Sequence, residues 1–136
     1  MAHAACTPRP CARPRFDSAR RAAYTSKASK RAATEQATLL SPQGPSVALA
    51  GPLAVSLLYV LPLPLSWTYE TRQDMDGAPH AGRPDVDNLA KLTMDVISRL
   101  GWWGDDSQVT SLTARKRYGW TPGVHVRIDR DETGSP

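Results

Sequence analysis

Four aspartates and one lysine carry the most concentrated chemistry in this chain. Asp85 and Asp87 stand one residue apart in Arg83-Pro84-Asp85-Val86-Asp87-Asn88. Asp105 and Asp106 stand side by side after Gly101-Trp102-Trp103-Gly104, and Lys91 lies between the two pairs. Carboxylate oxygens are the preferred ligands of hard cations such as Mg²⁺, which keep several waters when bound. A cluster of them can hold one or two such ions against a phosphodiester, where the metal activates a water and stabilises the leaving oxygen. Lys91 can neutralise charge developing on the phosphate, or hold the acidic groups together.

Each of these residues also has an ordinary structural explanation. Asp is a favoured helix N-cap, and the helix dipole stabilises a carboxylate at that end. That accounts for one of Asp85 and Asp87, but not for both together with a second pair beyond the same helix. Asp105-Asp106-Ser107 reads equally well as a turn before a strand. Lys91 is four residues from both Asp87 and Asp95, a spacing that gives surface ion pairs of a few tenths of a kcal/mol. A helix of about a dozen residues is ~18 Å long. The two acidic pairs therefore meet only if the chain folds back beside the start of the helix. In that case the carboxylates of the two pairs can share a cation.

The elements that must position these groups follow from periodicity. Residues 89–100 form the clearest helix, with Leu89, Leu92, Val96 and Leu100 on one stripe and Asp87, Lys91 and Asp95 opposite. Gly101 stops it. Residues 108–118 read as a strand, residues 119–123 as a turn, and Val124 to Ile128 alternate as a half-buried strand does. Residues 53–61 are a nearly continuous apolar run between prolines, which predicts a strand buried on both faces. Residues 66–82 are polar and contain Gly77, Pro79 and Gly82, so they read as a loop. Residues 41–45 read as a turn. Residues 18–40 are Ala-rich and free of Pro and Gly, and predict a helix with a thin apolar stripe, largely solvated or lying against DNA. Residues 1–12 read as a disordered leader and 131–136 as a disordered tail, leaving one domain over 13–130.

Composition fits this outline. A chain of 136 residues with 40% hydrophobic residues and four Trp suits one globular domain. Its net charge of +4 is unevenly placed. Residues 1–36 hold eight Lys/Arg against two Asp/Glu, while the remainder holds nine against eleven. A basic arm on a body with an acidic site suits a polyanion such as nucleic acid. Arg13, Arg15, Arg20, Arg21, Lys27, Lys30 and Arg31 form one expected phosphate-binding patch. Arg83 and the run Arg115, Lys116 and Arg117 form a second, closer to the acidic site.

Prolines interrupt the most apolar stretch, so no transmembrane helix is expected, and the N-terminus lacks the apolar core of a secretory signal. Its Ala-, Arg- and Ser-rich composition resembles a transit peptide, but its prolines make a poor amphipathic helix. Cys6 and Cys11 read as free thiols in a reducing cytoplasm, because His3, Cys6 and Cys11 lack a fourth ligand for zinc.

The ordered combination Pro84-Asp85-Val86-Asp87-Asn88-Leu89, Lys91, Asp95, Gly101, Asp105-Asp106, Gln108-Val109, Lys116 and Tyr118 resembles the RusA family of Holliday junction resolvases. These are bacterial and phage or prophage endonucleases. The resemblance implies a small α+β domain with a mixed sheet, and a homodimer that cuts four-way DNA junctions symmetrically. It implies Asp85, Asp87 and Asp106 as catalytic aspartates that converge on a metal, with Asp105 pointing elsewhere into its turn, Lys91 as the essential lysine, and Mg²⁺ as cofactor with Mn²⁺ as a substitute. It also implies a cytoplasmic location, in a bacterium or a phage-infected host. The N-terminal arm is longer and more basic than the family core needs. Trp102 and Trp103 stand where the family has variable apolar residues, and read as core, with base stacking as the alternative.

Two rival readings come from other classes. A non-catalytic DNA-binding or assembly protein of the same fold need not retain Asp85, Asp87, Lys91 and Asp106 together. A metal-dependent phosphoryl or glycosyl transferase using Asp-x-Asp wants a nucleotide-binding fold, but this chain contains no Gly-rich phosphate loop, and its Asp85-Val86-Asp87 lies between a loop and a helix rather than at a strand end.

Overall fold

The computed structural model describes residues 2–9, 15–17, 22–24 and 27–132. In chain order the elements are β1 (Ala2–Ala4), β2 (Arg15–Asp17), β3 (Ala22–Tyr24), α1 (Lys27–Leu40), a 3-10 turn (Ser41–Gln43), β4 (Leu53–Pro62), α2 (Tyr69–Met75), α3 (Val86–Leu100), a second 3-10 turn (Asp106–Gln108), β5 (Val109–Gly119) and β6 (Gly123–Arg130). β1, β6, β4 and β5 form a four-stranded sheet in that order, and β2 pairs with β3 in a separate hairpin. β4 runs parallel to β5 and antiparallel to β6, so the sheet is mixed. The α+β class expected from the resemblance is the class observed. Among the described residues no helix is long and apolar enough to cross a membrane.

β4 is the central strand, and alternation along it decides what lies where. Leu53, Val55, Leu57, Tyr59 and Leu61 are buried, while Ala54, Leu58 and Val60 are half-buried and Ser56 is exposed. This corrects the expectation of a strand buried on both faces. Successive side chains point to opposite faces of a strand, and only one face of this sheet is covered by helices. Val124 and Val126 of β6 and Ala2 and Ala4 of β1 add to that covered face.

The helix α3 lies on the covered face, burying Leu89, Leu92 and Val96 of the expected stripe together with Ile97, while Leu100 at its end is half-buried. It ends where Gly101 takes a left-handed φ of 72°, and the Gly101 amide closes on the Ile97 and Ser98 carbonyls. α1 begins at Lys27, later than expected, because residues 22–24 are a strand. It is not a solvated helix either. Ala32, Gln36 and Leu40, four apart, are buried, and α1 packs along α3. Its stripe is thin because Leu40 is the one large apolar residue in it, Ala32 being small and Gln36 polar.

A chain of buried polar groups ties the three layers together. The Tyr59 hydroxyl of β4 lies 2.9 Å from the Leu89 carbonyl and 2.8 Å from Thr93 Oγ1. The Thr93 hydroxyl in turn donates to Gln36 Oε1 of α1 at 3.0 Å. Burial pushes the Tyr59 phenol well above its ordinary range, so it stays a neutral donor.

Three further expectations are corrected here. Residues 1–12 were expected as a disordered leader, but β1 pairs with β6 in the register Ala2 to Val126 and Ala4 to Val124. Gln43 clamps it from outside, accepting from His3 N at 2.9 Å and donating to His3 O at 2.6 Å. Residues 66–82 were expected as a loop, but they contain α2, whose N-cap Thr68 accepts from the Thr71 amide at 3.2 Å. Trp102 and Trp103 are both core, which removes the base-stacking alternative. Trp103 donates to Ser98 Oγ at 2.9 Å, and Trp102 lies so close to Gly44 that a Cβ there would sit 2.2 Å from its Nε1.

Candidate active site

Asp85 is the N-cap residue of α3 by backbone geometry, with φ −71° and ψ 140°, and its carbonyl accepts from the Leu89 amide at 3.1 Å. Its side chain makes no capping hydrogen bond. The ordinary explanation for an aspartate at this position therefore does not use the Asp85 carboxylate, which is exposed. Asp87, in the first turn, accepts from the Asn88 amide at 2.9 Å and is also exposed. Lys91 is exposed, and among the described residues no salt bridge joins it to Asp87 or Asp95. An open cleft of about 390 Å³ lies at this helix end, lined by Arg83, Pro84, Asp85 and Asn88.

The segment that leads into α3 is held by Lys116. Its ammonium donates to Gly82 O at 2.5 Å and to Pro84 O at 2.7 Å. This is a different role from the phosphate contact expected of it. Strand alternation gives the reason. Lys116 is paired with Tyr59 and shares its helix-covered face, whereas Arg115 and Arg117 pair with Leu58 and Val60 on the other face. The run Arg115-Lys116-Arg117 is thus divided between two sides of the sheet. Arg83 is the basic residue of the second patch that lies beside Asp85.

His80 was not identified from sequence. Its amide donates to Lys116 O at 3.1 Å and its ring meets Tyr118 at a centroid distance of 4.5 Å. Burial, and then the Lys116 charge, hold its pKa below the ordinary imidazole value.

At the far end of α3, Asp105 and Asp106 sit on the 3-10 turn that begins β5. Ser107 donates to Asp105 Oδ2 at 2.7 Å, so Asp105 turns into its own turn, as expected. That bond and one from Asp106 lower the Asp105 pKa. The Asp106 pKa is raised by sharing with and repulsion from Asp105, and then by repulsion from Asp95. The groups facing Asp106 are therefore other carboxylates.

Gln108 fixes this turn and is a positioning residue that sequence reasoning left without a role. Its Oε1 accepts from the Gly104 and Asp105 amides at 2.8 and 3.1 Å. Its Nε2 donates to the carbonyls of Leu49 and Gly51, both at 3.0 Å. All four hydrogen-bonding positions of the side chain are used, which locks the acidic turn to the segment before β4.

The two acidic groups stand apart within one chain. Strands rise about 3.3 Å per residue, so the Val109 and Lys116 ends of β5 are ~23 Å apart. Asp106 precedes the first of these ends, and Pro84 and Asp85 are held at the second. Among the described residues no three His, Cys, Asp or Glu come within reach of one metal ion. The donor chemistry suits a hard cation, since exposed carboxylates stand at each end of α3 and among the described residues no salt bridge engages them; a single chain does not gather Asp85, Asp87 and Asp106 around one point.

Of the expected DNA-binding residues, Arg13, Arg20 and Arg21 lie outside the described residues. Arg15 falls in β2 and Lys27 opens α1, while Lys30 and Arg31 are exposed on α1. Cys11 also lies outside the described residues. Cys6 is a buried free thiol, its pKa pushed up to about 11 chiefly by that burial. The family model for endodeoxyribonuclease RusA matches residues 5–129 of the 136-residue chain. No curated protein matches the chain.

Proposed function

The chain belongs to the RusA endodeoxyribonuclease family, and from that premise we propose that it is a divalent-metal-dependent endonuclease that resolves four-way DNA junctions as a homodimer. The observation that carries this reading is the N-terminus of α3. There an N-cap aspartate leaves its carboxylate uncommitted beside Asp87 and an unpaired Lys91, in an open cleft with Arg83. Asp85, Asp87 and Asp106 would hold Mg²⁺, and Lys91 would offset charge on the scissile phosphate. When bound, the ion supplies an activated water and a partner for the leaving oxygen. The chain's own groups prepare the site: Lys116 fixes the loop before Asp85, and Gln108 fixes the turn that bears Asp106.

The dimer has a candidate seam in β5, an edge strand of the sheet. Residues 77–80 cover its far end, with backbone hydrogen bonds to Lys116 and Tyr118. Residues 110–113 are exposed, Leu112 by 49%. Outward backbone groups on Lys116 and Tyr118 put those of Ala114 and Leu112 on the same edge by alternation. A second copy's β5 can add there in antiparallel sense about a twofold axis near Thr113. That pairing would bring the Asp106 end of one copy's β5 to the same side as the end at which Lys116 holds Pro84 in the other. The apolar residues 53–61 and the pair Trp102 and Trp103 offer little to an interface, because they are mostly buried within the protomer.

The test is cleavage of labelled four-way junctions by the full chain, in Mg²⁺ and in EDTA. Paired cuts that need Mg²⁺ and vanish in Asp87→Asn, with junction binding retained, are expected. Lys91→Ala should lower kcat by about 10²–10³. Binding without cutting under every metal condition would refute the proposal and favour the non-catalytic DNA-binding reading.

A further inference from the structure

The face of the sheet away from the helices is open and carries a groove of about 860 Å³. Leu58 and Val60 form its floor, Arg115 and Arg117 one wall, and Trp120 its end. Cavities of roughly 300–1,000 Å³ hold ligands of nucleotide size. Aromatic rings continue beyond the groove. Trp120 is 46% exposed and Tyr69 61% exposed, with centroids 5.8 Å apart. The Arg72 guanidinium lies 5.5 Å over the Trp120 ring, and its Nε has no hydrogen-bond partner among the described residues. Arg115 is exposed, and Arg117 donates through Nη1 to Gly77 O at 3.2 Å. The acid lining this groove is Asp76, and among the described residues no salt bridge joins it to these arginines.

We propose that this face binds unstacked nucleotides of single-stranded DNA, with Trp120 and Tyr69 stacking on bases and Arg115 and Arg117 holding the backbone. The inference deepens, and rests on, the reading of the chain as an endonuclease for branched DNA, because a branch interrupts base stacking. Positive groove plus exposed rings is the combination that single-strand binders use without reading sequence. A base has a flat face for each ring, and its phosphates match the arginines. A second copy of this chain fits the face poorly, since twofold docking would set arginine near arginine. The groove is also separate from the acidic site, which belongs to the helix-covered side. Phosphate held here would not be repelled by Asp85 and Asp87.

The test uses the full chain in EDTA, so that no cleavage occurs, and a fluorescein-labelled oligothymidylate of about 12 nucleotides. Anisotropy should rise on binding, and tryptophan emission should fall, since Trp120 is far more exposed than Trp102 and Trp103. Trp120→Ala should weaken binding by roughly 5- to 100-fold, and Trp120→Phe should restore most of it. Arg115→Ala should shallow the slope of log affinity against log salt by about 0.7. Trp120 and Arg115 are surface positions, and circular dichroism of each variant checks the fold. Unchanged oligonucleotide affinity in both Trp120→Ala and Arg115→Ala would overturn the proposal. So would self-association without DNA that Trp120→Ala abolishes, because Trp120 lies on this face and outside the β5 seam, and that result would assign the face to a second copy. A wild-type protein that resolves junctions but ignores the oligonucleotide would remove this inference alone. One that binds the oligonucleotide in the predicted way but cuts nothing would remove the catalytic reading and leave this one standing.

Discussion

Lys116 shows how far the neighbours of a residue can change its meaning. In sequence it is the middle of a basic run, and a phosphate contact is the natural expectation. In the fold its ammonium holds two carbonyls of the segment that delivers Asp85. Lys116→Met should therefore cost stability of about 1–3 kcal/mol, the range for hydrogen bonds to a charged group, and should lower junction cleavage. The salt dependence of junction binding should stay unchanged, because no phosphate contact is lost; a shallower slope would return Lys116 to the DNA-binding set. Asp106 gives a second prediction at this scale. Its pKa is raised because carboxylates face it. Ionised Asp106 thus opposes folding above that raised value, and the opposition disappears as pH falls through it and the group is protonated. Asp106→Asn should melt higher than wild type at pH 7, with the gap closing below about pH 4, near the ordinary aspartate range. Equal melting temperatures across that span would contradict the crowding of carboxylates. Asp105 contributes with the opposite sign, its lowered pKa favouring the fold above the ordinary range.

At the scale of elements, the polar chain from Tyr59 through Thr93 to Gln36 decides where α3 sits on the sheet. Tyr59→Phe would leave buried polar atoms with fewer partners. It should cost roughly 1–3 kcal/mol, seen as a melting temperature lower by several degrees, roughly 4–8 °C per kcal/mol for domains of 60–100 residues and less for larger ones. A neutral result would mean that apolar packing alone positions the helix. The elements that were legible in sequence are those with long, regular patterns: α3 with its four-residue stripe and Gly101, β5, and the alternating β6. Those missed are short or built from small residues. β1 is three residues, Ala2–Ala4, too few to show a period. α2 is seven residues, and its Thr68 cap was overlooked among the surrounding turn formers. The divided basic run was legible in principle, because strand parity separates Lys116 from Arg115 and Arg117. What parity could not say is which face the helices cover.

For the whole molecule, the described N-terminal residues are part of the fold rather than an appendage. Ala2, Ala4 and Cys6 are buried in the same core as Leu57 and Val124. Deleting residues 2–9 should remove the strand that covers β6 and expose that edge. The expected result is a lower melting temperature and self-association in size-exclusion chromatography. A deletion variant as stable and monodisperse as the parent under matched conditions would show that β1 is dispensable. Deletion is therefore a poor probe of the basic arm's role in DNA binding. Charge reversal at Lys30 and Arg31, both exposed on α1, separates binding from folding.

The strand order has a consequence for the order of synthesis. β1 pairs with β6, and β4 pairs with β5 and β6. Every ladder of the main sheet therefore includes a strand from residues 109–130. A nascent chain paused before those residues leave the ribosome has made both of its early sheet strands and has nothing to pair them with. The hydrophobic face of β4 must wait, exposed or held by a chaperone, until residues 109–130 have been made. Late closure of this kind favours slow folding. A stop codon before β5 would yield a chain with no main sheet at all, rather than a shortened version of this one.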